Sequence, residues 1–188
     1  MDLEIEAKIS VPSLEPIVQK LNRLGAKMID SVKEIDTYFM DCENRLHTRG
    51  CALRIRKQSG SRGNLFFVTF KGPRASGHYK IRKEVETQIE DYDAFFHIFE
   101  GLGYTPRITI EKKRQLWEWN RCTVCLDELP KLGYFVEVEG PSEAQVKTVL
   151  TQLDLSDLPH IPSSYATLTA DALGLSPLEI KDLDLKNS

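Results

Sequence analysis

The stretch Glu4-Ile5-Glu6-Ala7-Lys8 carries a charged residue at every second position, with an apolar residue in each gap. Single charges at Lys71 and Asp127 and four later stretches continue the pattern: Arg54-Ile55-Arg56, Arg82-Lys83-Glu84-Val85-Glu86, Lys112-Lys113-Arg114 and Glu137-Val138-Glu139. In an extended strand, successive side chains point to opposite faces of the sheet. Each stretch therefore predicts a strand with one charged face and one mostly apolar face.

About eight strands and four helices follow from the pattern of the whole chain. Strand-like segments cover residues 2–10, 28–40, 51–58, 64–71, 79–90, 107–120, 121–128 and 133–140. Helices are predicted after the capping residues Ser13, Asp91 and Ser142, and in a short segment that contains Tyr165. Each of these helices is amphipathic, so each needs an apolar surface on which to pack.

The charged faces of the strands are predicted to point inward. The helices can pack only on the apolar face of the strands, which leaves the charged faces together on the other side of the sheet. A barrel of about eight strands encloses an interior wide enough for one small ligand. Seven acidic and seven basic residues would line it: Glu4, Glu6, Glu84, Glu86, Asp127, Glu137 and Glu139, and Lys8, Arg54, Arg56, Lys71, Arg82, Lys112 and Arg114.

An open antiparallel sheet with its charged face in water is the ordinary alternative for alternating strands. Solvated strands usually mix Thr, Ser, Gln and Lys, whereas these charged positions are almost all Glu, Arg or Lys in close pairs. A dry interior could not hold such charges unpaired, but a hydrated tunnel with a charged ligand could. We therefore predict an α+β fold: a single closed antiparallel β-barrel of about eight strands with α-helices packed outside.

The composition limits the class of protein. The chain has 188 residues, 41% of them hydrophobic, and a net charge of -3. That length suits one domain, predicted over 1–174, followed by a loosely ordered tail over 175–188. The balanced charge predicts no nucleic-acid or membrane partner, and no apolar run reaches the roughly 20 residues of a membrane-spanning helix. The acidic start of the chain argues against a signal peptide, so we expect a cytoplasmic location. For the oligomeric state, we expect a monomer or a homodimer.

Two of the four cysteines, in Cys122-Thr123-Val124-Cys125, have the spacing of a redox motif or half of a zinc site. In a strand, a spacing of three places the two sulfurs on opposite faces. No second CxxC or nearby histidine pair completes a metal site. We expect reduced, partly buried thiols.

The predicted interior combines two kinds of charge that suit one kind of ligand. Arginine and lysine bind phosphoryl oxygens, arginine through a bidentate fork. Clustered carboxylates bind a hard divalent cation such as Mg²⁺ or Mn²⁺. Together they suit a complex of a polyphosphate with a metal ion. The sequence contains no Walker-A, GxGxxG, HExxH or GxSxG motif, so the corresponding chemistries are unsupported.

A set of motifs along residues 2–170 resembles the CYTH superfamily, the triphosphate tunnel metalloenzymes. The motifs are Glu4-Ile5-Glu6-Ala7-Lys8, Asp36-Thr37-Tyr38-Phe39, Leu53-Arg54-Ile55-Arg56, Thr69-Phe70-Lys71-Gly72-Pro73, Arg82-Lys83-Glu84-Val85-Glu86, Lys112-Lys113-Arg114, Leu126-Asp127-Glu128 and Leu132-Gly133-Tyr134-Phe135-Val136-Glu137-Val138-Glu139. The DTYF, FKGP and LGYFVEVE segments, with Ser164-Tyr165, look most like the class IV adenylyl cyclase branch.

The resemblance implies a role for each group of charged residues. The divalent metal would be held by Glu4, Glu6, Glu137 and Glu139, with Asp127 beside them and Glu84 and Glu86 in support. The triphosphate would be held by Lys8, Arg54, Arg56, Lys71, Arg82, Lys112 and Arg114. The candidate catalytic residues are Lys8, Lys112 and Asp127, with Lys8 or Lys112 as the proton-handling group. Asp36 is expected to brace the mouth of the barrel, and Tyr38 to lie in the core.

The resemblance also implies an activity that depends on Mg²⁺ or Mn²⁺. Cyclases of this family convert ATP into cyclic AMP and pyrophosphate, and this is the first expectation. Related hydrolases act on thiamine triphosphate or inorganic triphosphate, which is the second. The third is a sensor that binds polyphosphate or nucleotide without turnover.

Overall fold

Eight strands form the framework of the computed structural model, which describes residues 2–75 and 79–175. Their bounds in this part of the chain are β1 Asp2–Val11, β2 Lys27–Asp41, β3 Ala52–Gly60, β4 Gly63–Ala75, β5 Lys80–Ile89, β6 Tyr104–Trp119, β7 Cys122–Leu129 and β8 Gly133–Glu139. All neighbouring strands are antiparallel, in the order β1-β5-β4-β3-β2-β6-β7-β8, and β8 pairs with β1 to close the barrel. The predicted α+β barrel is therefore confirmed.

Helices lie outside the barrel, and two of them begin at the predicted capping residues Asp91 and Ser142. The described helices are α1 Glu15–Leu24, α2 Arg45–Thr48, α3 Tyr92–Gly101, α4 Glu143–Gln152 and α5 Tyr165–Ala172. Asp91 caps α3 by accepting a hydrogen bond from the Ala94 N–H, and Ser142 caps α4 in the same way. Helix α1 begins after Leu14, which makes no side-chain capping bond, so the predicted cap at Ser13 is wrong. The helix ends at Gly25, whose φ of 75° is the left-handed conformation that glycine adopts without a steric penalty.

The main hydrophobic core lies between the barrel and the helices. The apolar residues of β1, β7 and β8 pack against α1 and α4, around side chains such as Leu21, Val138 and Leu150 that are almost fully buried. A second cluster joins β2 and β3 to α3 through Phe39, Ile55 and neighbouring aromatic rings. The apolar faces of β1, β2, β3, β7 and β8 are thus turned outward to the helices, as the sequence predicts, whereas Phe70 of β4 and Val85 of β5 remain partly exposed.

One side of the barrel is completed by a helix. Strand β6 pairs with β2 along most of its length, but in the described structure its register with β7 runs only from Lys113 to Trp119. Helix α5 packs against β6, and its first residue, Tyr165, is buried with Ile108, Ile110 and Phe135. The helix therefore covers the part of β6 that β7 leaves unpaired.

Four further observations bear on the predictions. The short helix α2 was not predicted, because four residues are too few to show a helical period. The cysteines are free thiols; Cys122 lies in the outer core and Cys125 on the opposite, inner face. Apart from Leu175, the predicted tail lies outside the described residues. Among the described helices, none has the length and apolar character needed to cross a membrane.

Candidate active site

The alternation of β6 separates the inside of the barrel from the outside. The side chain of Lys112 is 2% exposed, whereas that of its neighbour Lys113 is 72% exposed. The interior contains a cavity of about 210 Å³ that is lined almost entirely by polar side chains. The charged faces of the strands therefore look into an enclosed space.

All seven residues predicted to hold a triphosphate line this cavity. They come from five strands: Lys8 of β1, Arg54 and Arg56 of β3, Lys71 of β4, Arg82 of β5, and Lys112 and Arg114 of β6. Lys80 of β5 joins them. The barrel thus brings together cations that are as much as 106 positions apart in the chain.

Five of the seven predicted metal ligands line the cavity. Glu6, Glu84, Glu86, Glu137 and Glu139 line the same cavity. Asp127 does not line it; this residue is fully buried behind Arg114. The backbone of Glu4 pairs with Arg82, but its side chain lies outside the described part of the structure.

An acidic pair on β2 is a central part of the site. Asp36 accepts two hydrogen bonds from Arg56, at 2.6 and 2.8 Å, and one from Lys112 at 3.1 Å. Glu34 accepts a hydrogen bond from Arg56 at 3.0 Å and lies 2.7 Å from the Nζ of Lys112. Asp36 therefore lines the cavity as a buried carboxylate that braces Arg56 and Lys112. Tyr38, predicted to lie in the core, lines the cavity as well as packing beside α5.

These contacts keep the buried carboxyl groups ionised. Burial alone would raise the pKa of Glu34, but the charges of Arg56 and Lys112 outweigh it and lower the pKa to about 2. The pKa of Asp36 is likewise held well below its usual range, by Arg56, Lys112 and Arg54 acting against burial. The interior is therefore a network of charged groups at neutral pH.

A second acidic group lies where β1 meets β8. Glu6 is directly opposite Glu139 in the register of the two strands, and Lys8 is opposite Glu137. The Nζ of Lys80 lies 2.5 Å from Glu6, and the Nζ of Lys8 lies 3.2 Å from Glu137. Lysine ammonium groups thus neutralise carboxylates that would otherwise repel one another.

The chemistry of this acidic group suits a divalent cation. Glu6, Glu137 and Glu139 offer only carboxylate oxygens, the ligands that Mg²⁺ and Mn²⁺ prefer. Within the described residues, no three acidic, histidine or cysteine side chains converge closely enough to hold a metal ion as they stand. The two lysines lie against these carboxylates, so a bound cation would replace their ammonium groups there.

Glu84 and Glu86 lie on β5, with β1 between them and β8. Glu84 forms an ion pair with Lys71 of β4. Glu86 accepts hydrogen bonds from Thr69 at 2.7 Å and from Arg54 at 3.2 Å. Both carboxylates therefore hold phosphate-binding candidates in place on the far side of β1 from Glu137.

Asp127 connects two residues rather than facing the cavity. It accepts hydrogen bonds from Nε and Nη2 of Arg114 and, at 2.7 Å, from the hydroxyl of Tyr165. Arg114 also contacts Glu137. This geometry gives Asp127 the position of a residue that orients Arg114.

Sequence reasoning missed four lining or supporting residues, and for two of them a signal was present. Glu34-Ile35-Asp36 and Lys80-Ile81-Arg82 show the same charged alternation as the stretches that were used, so both could have been found. Cys125 lines the tunnel, where burial raises the pKa of its thiol and keeps it neutral. Tyr165 reaches the site from a helix, and no strand pattern could have indicated this.

Two relatives of known name share much of the sequence. MJ0240 of Methanocaldococcus jannaschii, which carries a provisional adenylate cyclase name, is 33% identical over 137 residues, covering 73% of this chain and 76% of that protein. The adenylate cyclase CyaB of Aeromonas hydrophila is 29% identical over 183 residues, which make up 92% of each protein.

Solved structures share the fold. PH1819 of Pyrococcus horikoshii has a TM-score of 0.78 at 26% sequence identity, covering 89% of this chain and 98% of that one. HpAC1 of Hippeastrum has a TM-score of 0.65 at 17% identity, covering 96% of this chain and 100% of that one. It is provisionally named an adenylyl cyclase and described as having a dominant triphosphatase activity. At that identity the likeness shows the fold alone. The CYTH domain pattern itself matches residues 2–165, and the chain therefore belongs to the CYTH domain family.

Proposed function

We propose that this protein is an enzyme dependent on Mg²⁺ or Mn²⁺ that binds a small-molecule triphosphate in the barrel and breaks a P–O–P linkage. The candidate reaction we favour is the conversion of ATP into cyclic AMP and pyrophosphate. The observation that carries the proposal is the enclosed cavity in which arginine, lysine and carboxylate side chains face one another.

The charge of the cavity supports a ligand that carries both negative and positive charges. Among the described residues that line it, eight are cationic and six are acidic, so the site is close to electrically balanced. A bare triphosphate would add several negative charges to a buried space, which is unfavourable unless they are compensated. A triphosphate that arrives with divalent cations keeps the balance.

The size of the cavity supports the phosphate chain as the enclosed part of the ligand. Its volume of about 210 Å³ is below the roughly 300–1,000 Å³ of pockets that enclose drug-sized ligands. We infer that the phosphates lie inside and that an attached organic group extends from the opening of the barrel.

Each group of residues then has a proposed role. Glu6, Glu137 and Glu139 would hold the metal, and the family resemblance adds Glu4 to this set. Arg54, Arg56 and Arg114 are oriented by carboxylates so that their remaining N–H groups can donate to phosphoryl oxygens. A bound Mg²⁺ or Mn²⁺ would neutralise charge that develops on the phosphoryl oxygens as the bond breaks.

The cyclase reaction requires the ribose 3′-hydroxyl to lose a proton and attack the α-phosphorus while pyrophosphate leaves. Lys8 and Lys112 are our candidates for the group that handles this proton, because both are buried side chains that line the cavity. Asp127 would act indirectly by fixing Arg114, which would hold the leaving pyrophosphate. The names of the two relatives favour this reaction over hydrolysis.

A triphosphatase is the second candidate. The small cavity would equally hold inorganic triphosphate or the phosphate chain of thiamine triphosphate, with water as the nucleophile and the same cations around the leaving group. A sensor that binds without turnover is the third. The acidic group between β1 and β8 argues against it, because binding an anion alone would not need carboxylates that face the ligand.

One turnover experiment separates the three. The purified protein is incubated with ATP, thiamine triphosphate or inorganic triphosphate, in the presence of Mg²⁺ or Mn²⁺ or with EDTA. Cyclic AMP with pyrophosphate identifies the cyclase, orthophosphate identifies the hydrolase, and tight binding without product identifies the sensor.

The metal assignment is tested with the same assay. Glu6→Gln should reduce metal-dependent turnover by at least about a hundredfold, because it removes one charged ligand from the proposed metal group. Glu128→Gln, which changes an exposed glutamate that pairs with Lys113 outside the barrel, should leave the rate unchanged. Full activity in the Glu6 variant would show that the metal lies elsewhere.

A further inference from the structure

Tyr165 is a helix residue in a site built mostly from charged strand residues. It is the first residue of α5 and is 6% exposed. It enters the cavity at the side of the barrel where β6 lacks β7 as a neighbour. Its position is fixed by packing against Phe135, with ring centroids 5.3 Å apart.

The face of the Tyr165 ring contacts the ammonium groups of two tunnel lysines. The Nζ of Lys8 lies 3.9 Å from the ring centroid, and the Nζ of Lys112 lies 5.6 Å from it. Both distances are within the range of a cation–π interaction, which is strongest when the partners are shielded from water. Lys8 is further held by the backbone oxygen of Ser163 at 3.1 Å.

The hydroxyl of Tyr165 acts on a third cation through Asp127. It donates a hydrogen bond of 2.7 Å to Asp127, whose oxygens also accept from the guanidinium of Arg114. Burial, together with the charges of Glu137 and Asp127, raises the pKa of Tyr165 well above its usual range. The hydroxyl therefore stays protonated and remains a donor.

We infer that Tyr165 is a positioning residue that sets the geometry of three phosphate-binding cations, Lys8 and Lys112 through its ring and Arg114 through its hydroxyl and Asp127. The inference rests on the proposed function, since it concerns how the same tunnel holds a triphosphate. A helix outside the barrel thereby orients ligand-binding groups on β1 and β6.

The two parts of the side chain are separated by two substitutions. Tyr165→Phe keeps the ring under the lysines and removes only the hydrogen bond to Asp127. Tyr165→Leu removes both. Tyr134→Leu is the matched control, because Tyr134 is a half-exposed tyrosine on the outer face of β8.

Isothermal titration with sodium tripolyphosphate and Mg²⁺ measures the effect without depending on turnover. We expect the dissociation constant to rise roughly threefold in Tyr165→Phe and about tenfold or more in Tyr165→Leu, in line with the strength of buried cation–π and charged hydrogen-bond contacts. Tyr134→Leu should bind as the unchanged protein does. With any substrate that is turned over, the Phe variant should lose less activity than the Leu variant does.

The results distinguish this inference from the proposed function. If the unchanged protein does not bind tripolyphosphate, the proposed function fails. If the unchanged protein binds tripolyphosphate and both folded Tyr165 variants bind it with the same affinity as the unchanged protein, only the positioning role is wrong.

If the Leu variant does not fold, a measurement on the unchanged protein still tests the contact between Lys8 and the ring of Tyr165. The side-chain protons of Lys8 should show an upfield ring-current shift in an NMR spectrum, and Tyr165→Phe should preserve it. An unshifted Lys8 signal would contradict the ring contact.

Discussion

Glu34 and Asp36 show why single residues in this barrel can be charged and buried at once. Each carboxylate lies against two or three cations, so removing it from water is compensated by close ion pairs. Such pairs add little net stability compared with apolar packing, but breaking one leaves a buried charge without compensation. The burial of these charged groups is therefore better explained by a role in ligand binding than by a contribution to stability.

The lowered pKa of Glu34 predicts how stability depends on pH. In the unfolded chain, Glu34 has its ordinary pKa of 4.5, whereas in the folded protein its pKa is about 2. The stabilisation from Glu34 is therefore fully present above pH 4.5 and is lost as the pH falls toward 2.

Glu34→Gln should reduce this dependence. We expect the variant to lose about 3 kcal/mol of stability at pH 7, because Arg56 and Lys112 lose a charged partner in the interior. The free energy of unfolding, measured by urea titration at several pH values, should then fall less steeply below pH 4.5 than in the unchanged protein. An identical pH profile would show that Glu34 is not an ionised partner of these cations. The exposed Glu128→Gln variant controls for the removal of a carboxylate.

At the residue scale, the sequence predicted most of the charges that face the cavity, because strand alternation decides the face; Asp127 is an exception, since it lies behind Arg114. Lys112 was assigned to the inside and Lys113 to the outside, as observed. The partners of these charges could not be predicted, because they depend on strand order. Arg114 meets Asp127 only because β6 and β7 are neighbours.

At the scale of elements, the strands and helices divide stability and ligand binding between them. The outer faces of the strands and the apolar stripes of the helices form the core, and the inner faces form the site. Helix α4 belongs wholly to the outer layer, whereas α5 contributes Tyr165 to the inside. Changes in α4 should therefore affect folding alone.

Two leucines near α4 test this division. Leu150 is 1% exposed, whereas Leu158, beyond the end of the helix, is 40% exposed. Leu150→Ala should lower the free energy of unfolding by about 3 kcal/mol, and Leu158→Ala should change it by less than about 0.5 kcal/mol. Neither should alter tripolyphosphate affinity at a temperature where both are folded. A weakened affinity in Leu150→Ala would show that the outer layer shapes the tunnel.

The sequence predicted these elements well where their signals are local. Asp91 and Ser142 indicated the starts of α3 and α4, because the capping hydrogen bond is made within four residues. The gap beside β6 was not predictable. It arises because β6 has sixteen residues and β7 only eight, and the sequence does not show which strands pair.

At the scale of the whole molecule, barrel closure turns separate charged faces into one site. Pairing of β1 with β8 places Glu6 opposite Glu139 and completes a cavity with eight cations and six carboxylates among the described residues. Closure also removes sheet edges, which would otherwise expose unpaired backbone groups. The sequence supported a closed barrel over an open sheet because the charged positions were too uniform for a solvated face.

We propose that the inner charges of the barrel, and not its outer ones, bind a metal–triphosphate complex. The most direct measurement is isothermal titration of Lys112→Gln and Lys113→Gln with sodium tripolyphosphate and Mg²⁺. The two variants lose the same charge at adjacent positions on one strand, with folding checked by circular dichroism. We predict that Lys112→Gln binds about tenfold or more weakly, because a buried charged donor is lost, while Lys113→Gln binds as the unchanged protein does. Equal affinity in the two variants, or a larger loss in Lys113→Gln, would contradict the account.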